Sequence, residues 1–227
     1  MPFFVAKVIA KIVGKFAVEP IKTKTMQLIT GDLLIDTSKW NGNIDWNKVK
    51  NDPQNIKGVI IKASEGGSSR HPTVYKQADG ATAAGLPVSY YHFATWNSED
   101  EVQDATDEAR FFLAVIKAAP KPSFPLILDI ESNNPIPYTK QEMIDYVSSF
   151  VKTVQDAGYE IAIYASPGFL NSYLPANHPF INIPLWVADF TAGINPVPGW
   201  KKIWLHQYSE KGKVQGISTN VDMNRVQ

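Results

Sequence analysis

The run PLILDIES, residues 125–132, carries aliphatic side chains straight into two carboxylates, Asp129 and Glu131. Positions two apart on a strand face the same side. Two acids side by side repel each other, and burying either as an anion is costly unless it is paired or hydrogen-bonded. Either the strand ends there and both groups reach solvent, or a site makes use of them. Other apolar runs also end in polar groups: Asp36 closes LLIDTS, His92 follows Tyr90 and Tyr91, Asp189 closes PLWVADF, and Gln207 and Tyr208 close KIWLHQYS. Asp222 lies nearer the start of its run. One such ending is unremarked in any protein, but the repetition points to a shared acidic site.

Positioning these groups requires the runs to lie side by side. Eight strands are predicted, at 33–38, 58–64, 87–94, 125–131, 160–166, 184–190, 202–209 and 220–226. Helices are signalled between the third and fourth by Ser98 with Glu101, and between the fourth and fifth by Thr139 with Glu142, both capping-box spacings. Pro72 suits the start of an earlier helix, and Gly85 and Gly158 sit where helices should stop. Strands alternating with helices predict an α/β fold with a parallel sheet and right-handed crossovers, and eight strands closing on themselves predict a (β/α)8 TIM-like barrel. The last third is Gly-, Pro-, Lys- and Ser-rich between strands and leaves little room for helices, so the barrel is expected to be irregular there. In such barrels chemistry sits at the C-terminal strand ends, where the acids fall.

Of 227 residues, 44% are hydrophobic and 19% charged, the balance of a globular domain able to bury a sizeable core. Lysine plus arginine equals aspartate plus glutamate, 22 against 22, and the body's lysines form no stripe, so nucleic-acid binding has no footprint. Without cysteine there is no disulfide framework, thiolate metal site or cysteine nucleophile. No apolar run approaches the ~18 residues that span a bilayer. Charge is nonetheless uneven: residues 1–30 hold five lysines and one acid. Lys7, Lys11 and Lys15 fall on one stripe of a predicted N-terminal amphipathic helix whose wider face is apolar, with Pro20 as its stop. Residues 3–18 therefore read as a segment for an anionic membrane surface or a partner protein. Lysines interrupt the apolar region, which argues against a signal peptide. The chain divides into a basic extension, 1–30, and a barrel, 31–227.

The motifs LIDTSKWNGNIDW (34–46), GVIIKASEG, AGLPVSYYHF, PLILDIE, WVADF, LHQYS and VDMN resemble, in the same order, the blocks of the glycoside hydrolase family 25 lysozymes. The resemblance covers residues 31–226 and none of the head. It implies an N-acetylmuramidase that cuts the β-1,4 bond between N-acetylmuramic acid and N-acetylglucosamine in bacterial peptidoglycan, working at the cell wall, extracellular or periplasmic, with phage-type release or delivery by another system as the route. Residue by residue it implies Glu131 as general acid, Asp129 beside it, and Asp36 and Asp189 completing the acidic cluster. Tyr91, Trp186 and Gln207 match groove-lining positions. Crowding suits the chemistry, because repulsion keeps one carboxyl protonated to serve as proton donor while negative charge stabilises an oxocarbenium-like centre. Two mechanisms stay open: attack by the substrate's own 2-acetamido oxygen with Asp129 orienting it, or attack by an aspartate-activated water with inversion.

Blander readings stand beside these. Asp129 and Glu131 can bond loop backbone, Asp36 can cap a turn, and Asp222 can be a buried hydrogen-bonding partner. His92 and His206 with the aspartates invite a metal reading, as in metal-dependent deacetylases of cell-wall sugars, but no ligand spacing appears and no metal or cofactor is expected. Among the tryptophans, Trp96, just past the third strand, is the best loop-borne sugar contact, while Trp46 and Trp204 read as core. No Gly-x-Ser-x-Gly elbow or phosphate loop competes. The rival functions are a non-catalytic sugar-binding barrel, a phage structural component, and a glycosidase for chitin-like chains.

Overall fold

The computed structural model describes residues 26–96, 100–131 and 138–227. The expected head helix over 3–18 and the cap at Ser98 lie outside the described residues. Each of the eight predicted runs overlaps a strand: β1 (Leu33–Thr37), β2 (Ile56–Glu65), β4 (Val88–Phe93), β5 (Leu126–Asp129), β6 (Ile161–Ala165), β7 (Leu185–Ala188), β8 (Leu205–Gly212) and β9 (Val221–Val226). A two-residue strand, β3 (Ser69–Arg70), folds back antiparallel on the end of β2. The order β1-β9-β8-β7-β6-β5-β4-β2 closes through a parallel β1–β2 pair.

The barrel is mixed, not wholly parallel as expected, because β9 runs antiparallel to both β1 and β8. The reason is the short connection from β8 to β9, residues 213–220. Antiparallel neighbours can be joined by a tight return, whereas a parallel crossover needs a dozen or more residues. Among the described residues the helices are α1 (Trp46–Lys50), α2 (Val74–Ala83), α3 (Glu101–Ile116), α4 (Lys140–Asp156) and α5 (Pro167–Tyr173). Thr139 and Glu142 form the predicted capping box on α4. On α3 the capping side chain is Asp100, which accepts from the Gln103 N–H. Gly85 and Gly158 have φ of 76° and 86°, the left-handed turn that ends a helix before a strand. The short α5, capped by Ser166 with Pro167 in its first turn, is an element the sequence reading passed over.

Two buried layers follow from strand alternation. One lies between barrel and helices, centred on residues such as Phe112, Tyr146 and Phe150. The other fills the barrel, with Leu34, Ile60, Ile127, Ala162, Leu205 and Val226 among its members. Phe124 belongs to that interior cluster, and its ring lies where a side chain on Gly58 would be. Two residues further along the same faces, Ile127 is followed by Asp129, Leu34 by Asp36, Ala162 by Tyr164 and Leu205 by Gln207. The period of two thus converts an apolar floor into a polar rim at the C-terminal strand ends.

Candidate active site

That rim opens into a groove made of two adjoining cavities of ≈ 240 and ≈ 380 Å³. Tyr91, Asp129, Glu131 and Asp222 line both and form the waist between them. The smaller half is bounded by Asp36, Tyr164, Trp186, Phe190, Gln207 and Glu210. The larger extends across the loop after β1, with Lys39 and Trp40, to Lys62 and Phe93.

Asp36 is buried and stands opposite Asp222 in the β1–β9 pair. Burial, then the Asp222 charge, drives its pKa well above the usual carboxylate range, against the opposing donors Asn224 and Gln207. Two carboxyls set opposite each other in this way resist ionising together, so the pair favours keeping one proton. Burial still leaves Asp222 above its ordinary value. Two amides fix the pair. Gln207 Nε2 and Asn224 Nδ2 donate to Asp36 Oδ2 at 2.9 and 2.8 Å. Each amide is itself oriented by a donor at its oxygen: Tyr164 OH donates to Gln207 Oε1 at 2.9 Å, and Trp186 Nε1 to Asn224 Oδ1 at 2.8 Å. Indole N–H can only donate, which fixes the Asn224 amide in this orientation.

Asp129 ends β5 and is buried, with its pKa pushed well up by burial and then by Glu131, while Lys62 opposes. Its Oδ1 is buried without a hydrogen-bond partner among the described residues. An orphan polar atom of this kind costs free energy until something satisfies it. Glu131, just beyond the strand, is only partly buried, and its pKa is raised by burial, with Lys62 opposing and Asp222 adding. Glu131 is therefore a carboxyl that combines access to the groove with a protonated form favoured above the ordinary range.

The structure gathers Glu131, Asp129, Asp36, Tyr91, Trp186 and Gln207 at this groove. Trp186 and Gln207 are almost fully buried, and their polar atoms serve the Asp36 network. Asp189 is not part of the groove lining. Its carboxylate accepts from Thr191 N and Oγ1 at 3.1 and 2.7 Å, and from Asn195 N and Nδ2 at 2.8 and 2.9 Å. Burial would raise its pKa, but these bonds outweigh that and hold it below the ordinary range, so it staples the loop after β7. Trp96 is also turned away from the groove, packing on Tyr138, Tyr146 and Phe169 at centroid separations of 5.7, 4.9 and 6.5 Å. Trp40, 77% exposed, is the tryptophan that borders the groove in the open.

The histidines serve the scaffold. His92 is fully buried, with Nδ1 2.8 Å from Ser64 Oγ and Nε2 2.8 Å from Glu108 Oε2. A buried Ser–His–Glu chain with no exposed member has no route to a substrate. His206 Nε2 bonds the Asp189 carbonyl at 2.7 Å. No cluster of three metal-ligating side chains occurs among the described residues. Sequence reasoning did not single out Asn224, Tyr164, Lys62 or Glu108. For Asn224 a signal was present, since it shares a strand face with Asp222, two residues away.

The profile for glycosyl hydrolases family 25 matches residues 35–217. The chain is 30% identical over 195 residues to the autolytic lysozyme of Clostridium acetobutylicum, covering 84% of this chain and spanning 54% of that enzyme's length. It is 28% identical over 204 residues to lysozyme M1 of Streptomyces globisporus, covering 84% of this chain and 66% of that one. Among solved structures, the CTP1L endolysin superposes with a TM-score of 0.72 at 29% identity, covering 86% of this chain and 66% of the endolysin.

Proposed function

The chain belongs to family 25 of the glycosyl hydrolases, and from that premise we propose that it hydrolyses the β-1,4 bond between N-acetylmuramic acid and N-acetylglucosamine in bacterial peptidoglycan. The observation that carries this reading is the carboxyl cluster at the waist of the groove, where Asp129 and Glu131 face both cavities. Glu131 protonates the leaving glycosidic oxygen. Its raised pKa keeps the donor form at higher pH, and its partial exposure leaves it within reach of a bound chain.

Asp129 offers an unsatisfied carboxyl oxygen, a fit for the N–H of the substrate's 2-acetamido group. Holding that N–H would turn the acetamido oxygen toward the anomeric carbon, so that the substrate supplies its own nucleophile. The Asp36–Asp222 pair, crowded enough to share one proton, places negative charge beside the developing oxocarbenium centre. Direct attack by an aspartate-activated water is the competing course. A first-formed product with inverted anomeric configuration, followed by NMR, would eliminate the substrate-assisted one.

The decisive experiment is mass spectrometry of fragments released from purified peptidoglycan, after the existing reducing ends have been blocked with borohydride. The expected result is new reducing muramic acid from the wild type, at least ~100-fold less from Glu131→Gln, in line with loss of a general acid. New reducing glucosamine ends would reverse the bond assignment, and no fragments would refute the hydrolase reading. This activity places the protein's work at the cell wall, on its extracellular or periplasmic side. We propose further that the barrel, 31–227, is the catalytic unit and that the basic segment 3–18 holds it at an anionic membrane surface through an amphipathic helix. Flotation with anionic liposomes tests this: the full chain should float and residues 28–227 should not, and equal flotation refutes it.

A further inference from the structure

The two halves of the groove differ in charge. The smaller half has Asp36 and Glu210 beyond the shared waist, and among the described residues no lysine, arginine or histidine lines it. The larger half holds two ammonium groups, Lys39 and Lys62, with Glu65 and His71 as its other titratable side chains outside the waist. Lys62 Nζ lies 2.8 Å from Glu65 Oε2 and 4.4 Å from the centroid of Phe93, with its side chain only 15% exposed. Lys39 Nζ lies 4.9 Å from the Trp40 ring, and both residues are exposed.

The frame beneath Lys39 is fixed. Ser38 and Asn41 form a reciprocal cap on the short 3-10 turn Lys39–Asn41, and Asn41 Nδ2 also donates to the Asn220 carbonyl at 3.0 Å. The Lys39 N–H donates to His71 Nε2 at 3.2 Å, leaving Nδ1 to donate to Thr73 Oγ1. His71 stays neutral near pH 7, because burial, then the Lys62 and Lys39 charges, holds its pKa at about 4. The loop thus presents Lys39 and Trp40 from a frame that is hydrogen-bonded on three sides.

We propose that Lys39 and Lys62 recognise a stem-peptide carboxylate of a muramyl residue of the substrate, so that the larger half seats the charged part of the glycan and the smaller half an uncharged N-acetylated sugar. This rests on the muramidase reading above. Beyond the waist acids that both halves share, a carboxylate in the smaller half would meet Asp36 and Glu210 with no counter-ion among the described residues, which electrostatics disfavours. In the larger half it meets, beyond the same waist acids, two ammonium groups: Lys62, paired with Glu65, and Lys39, exposed beside the open face of Trp40.

The test is calorimetric binding to the inactive Glu131→Gln chain. The probes are a purified tetrasaccharide muropeptide and the same molecule with its carboxylates converted to methylamides. The carboxylate form should bind roughly five- to tenfold more tightly at low salt, the size of one or two partly exposed ion pairs, and the gap should shrink at 0.5 M salt. Adding Lys39→Gln should narrow the gap to about twofold while leaving methylamide binding unchanged, and Lys39→Arg should keep it. Equal binding of both probes by Glu131→Gln, or a preference untouched by Lys39→Gln, overturns the proposal and leaves the muramidase reading standing. Binding of neither probe overturns both.

Discussion

At the scale of single residues, the waist of the groove holds carboxyls whose protonation is set by competition between burial and Lys62. Lys62 opposes the rise in the pKa of both Asp129 and Glu131. A cation favours the charged form of a carboxyl, so removing it raises the pKa further and keeps the donor protonated to higher pH. Lys62→Met should therefore move the alkaline limb of the kcat profile to higher pH, a shift read from initial rates across a buffer series. An unmoved limb would mean that Lys62 does not face the acids in solution. Asp129 carries a second expectation. Its folded pKa is raised, so its contribution is fully present below the unfolded value near 3.9 and is lost as pH rises through the folded value. Asp129→Asn should then abolish most activity yet stabilise the fold by about 0.5–2 kcal/mol at neutral pH, a gain that fades below about pH 3.9. Urea titrations at pH 7 and pH 3 check this, and a loss of stability at pH 7 would contradict it. The pairing of Asp129 with Glu131 was legible because strand geometry alone places them together. Asp189 had the same apolar run before it, but Thr191 and Asn195 follow and take up its oxygens. Whether a strand-end acid serves a groove or a turn depends on the loop that comes after.

At the scale of elements, the sheet and the helices are fastened by one buried carboxylate. Glu108 on α3 meets His92 of β4, Tyr146 of α4 and the Thr95 backbone N–H, all out of solvent or nearly so. The Tyr146 hydroxyl donates at 2.6 Å. Tyr146→Phe leaves that oxygen one donor short and should cost about 1–3 kcal/mol, measured by urea denaturation, with little change in kcat. A cost near zero would indicate that the carboxylate finds another donor. None of this was readable in the sequence, because Glu108 sits mid-helix among residues that could face water. The helix signals that were readable are the local ones: Thr139 with Glu142, Gly85 and Gly158 act through their own backbone. Trp96 shows the limit of local reading. Its place after β4 suggested a sugar contact, yet Tyr146 of α4 and Phe169 of α5 cover it. Trp40, in the loop after β1, stays open instead.

At the scale of the whole molecule, eight strands and their order along the chain were legible from apolar runs, while the direction of the last was not. The length of the 213–220 connection held that information, since no crossover fits within it. That closing strand completes both barrel and site, because β9 carries Asp222 and Asn224. A chain cut to residues 1–220 should lose cooperative unfolding as well as activity, seen as a broad, shallow thermal transition; retention of a sharp one would show that β9 is dispensable to the scaffold. The bond from Asn224 to Asp36 spans 188 residues of sequence. Contacts of such separation are among the last for a folding chain to close, since loop entropy must be met before the contact repays it. On the ribosome, Asp36 emerges long before its partners exist. Until translation has passed Asn224, the polypeptide carries its acids unassembled, so the acidic groove does not exist until the barrel has nearly all been synthesised.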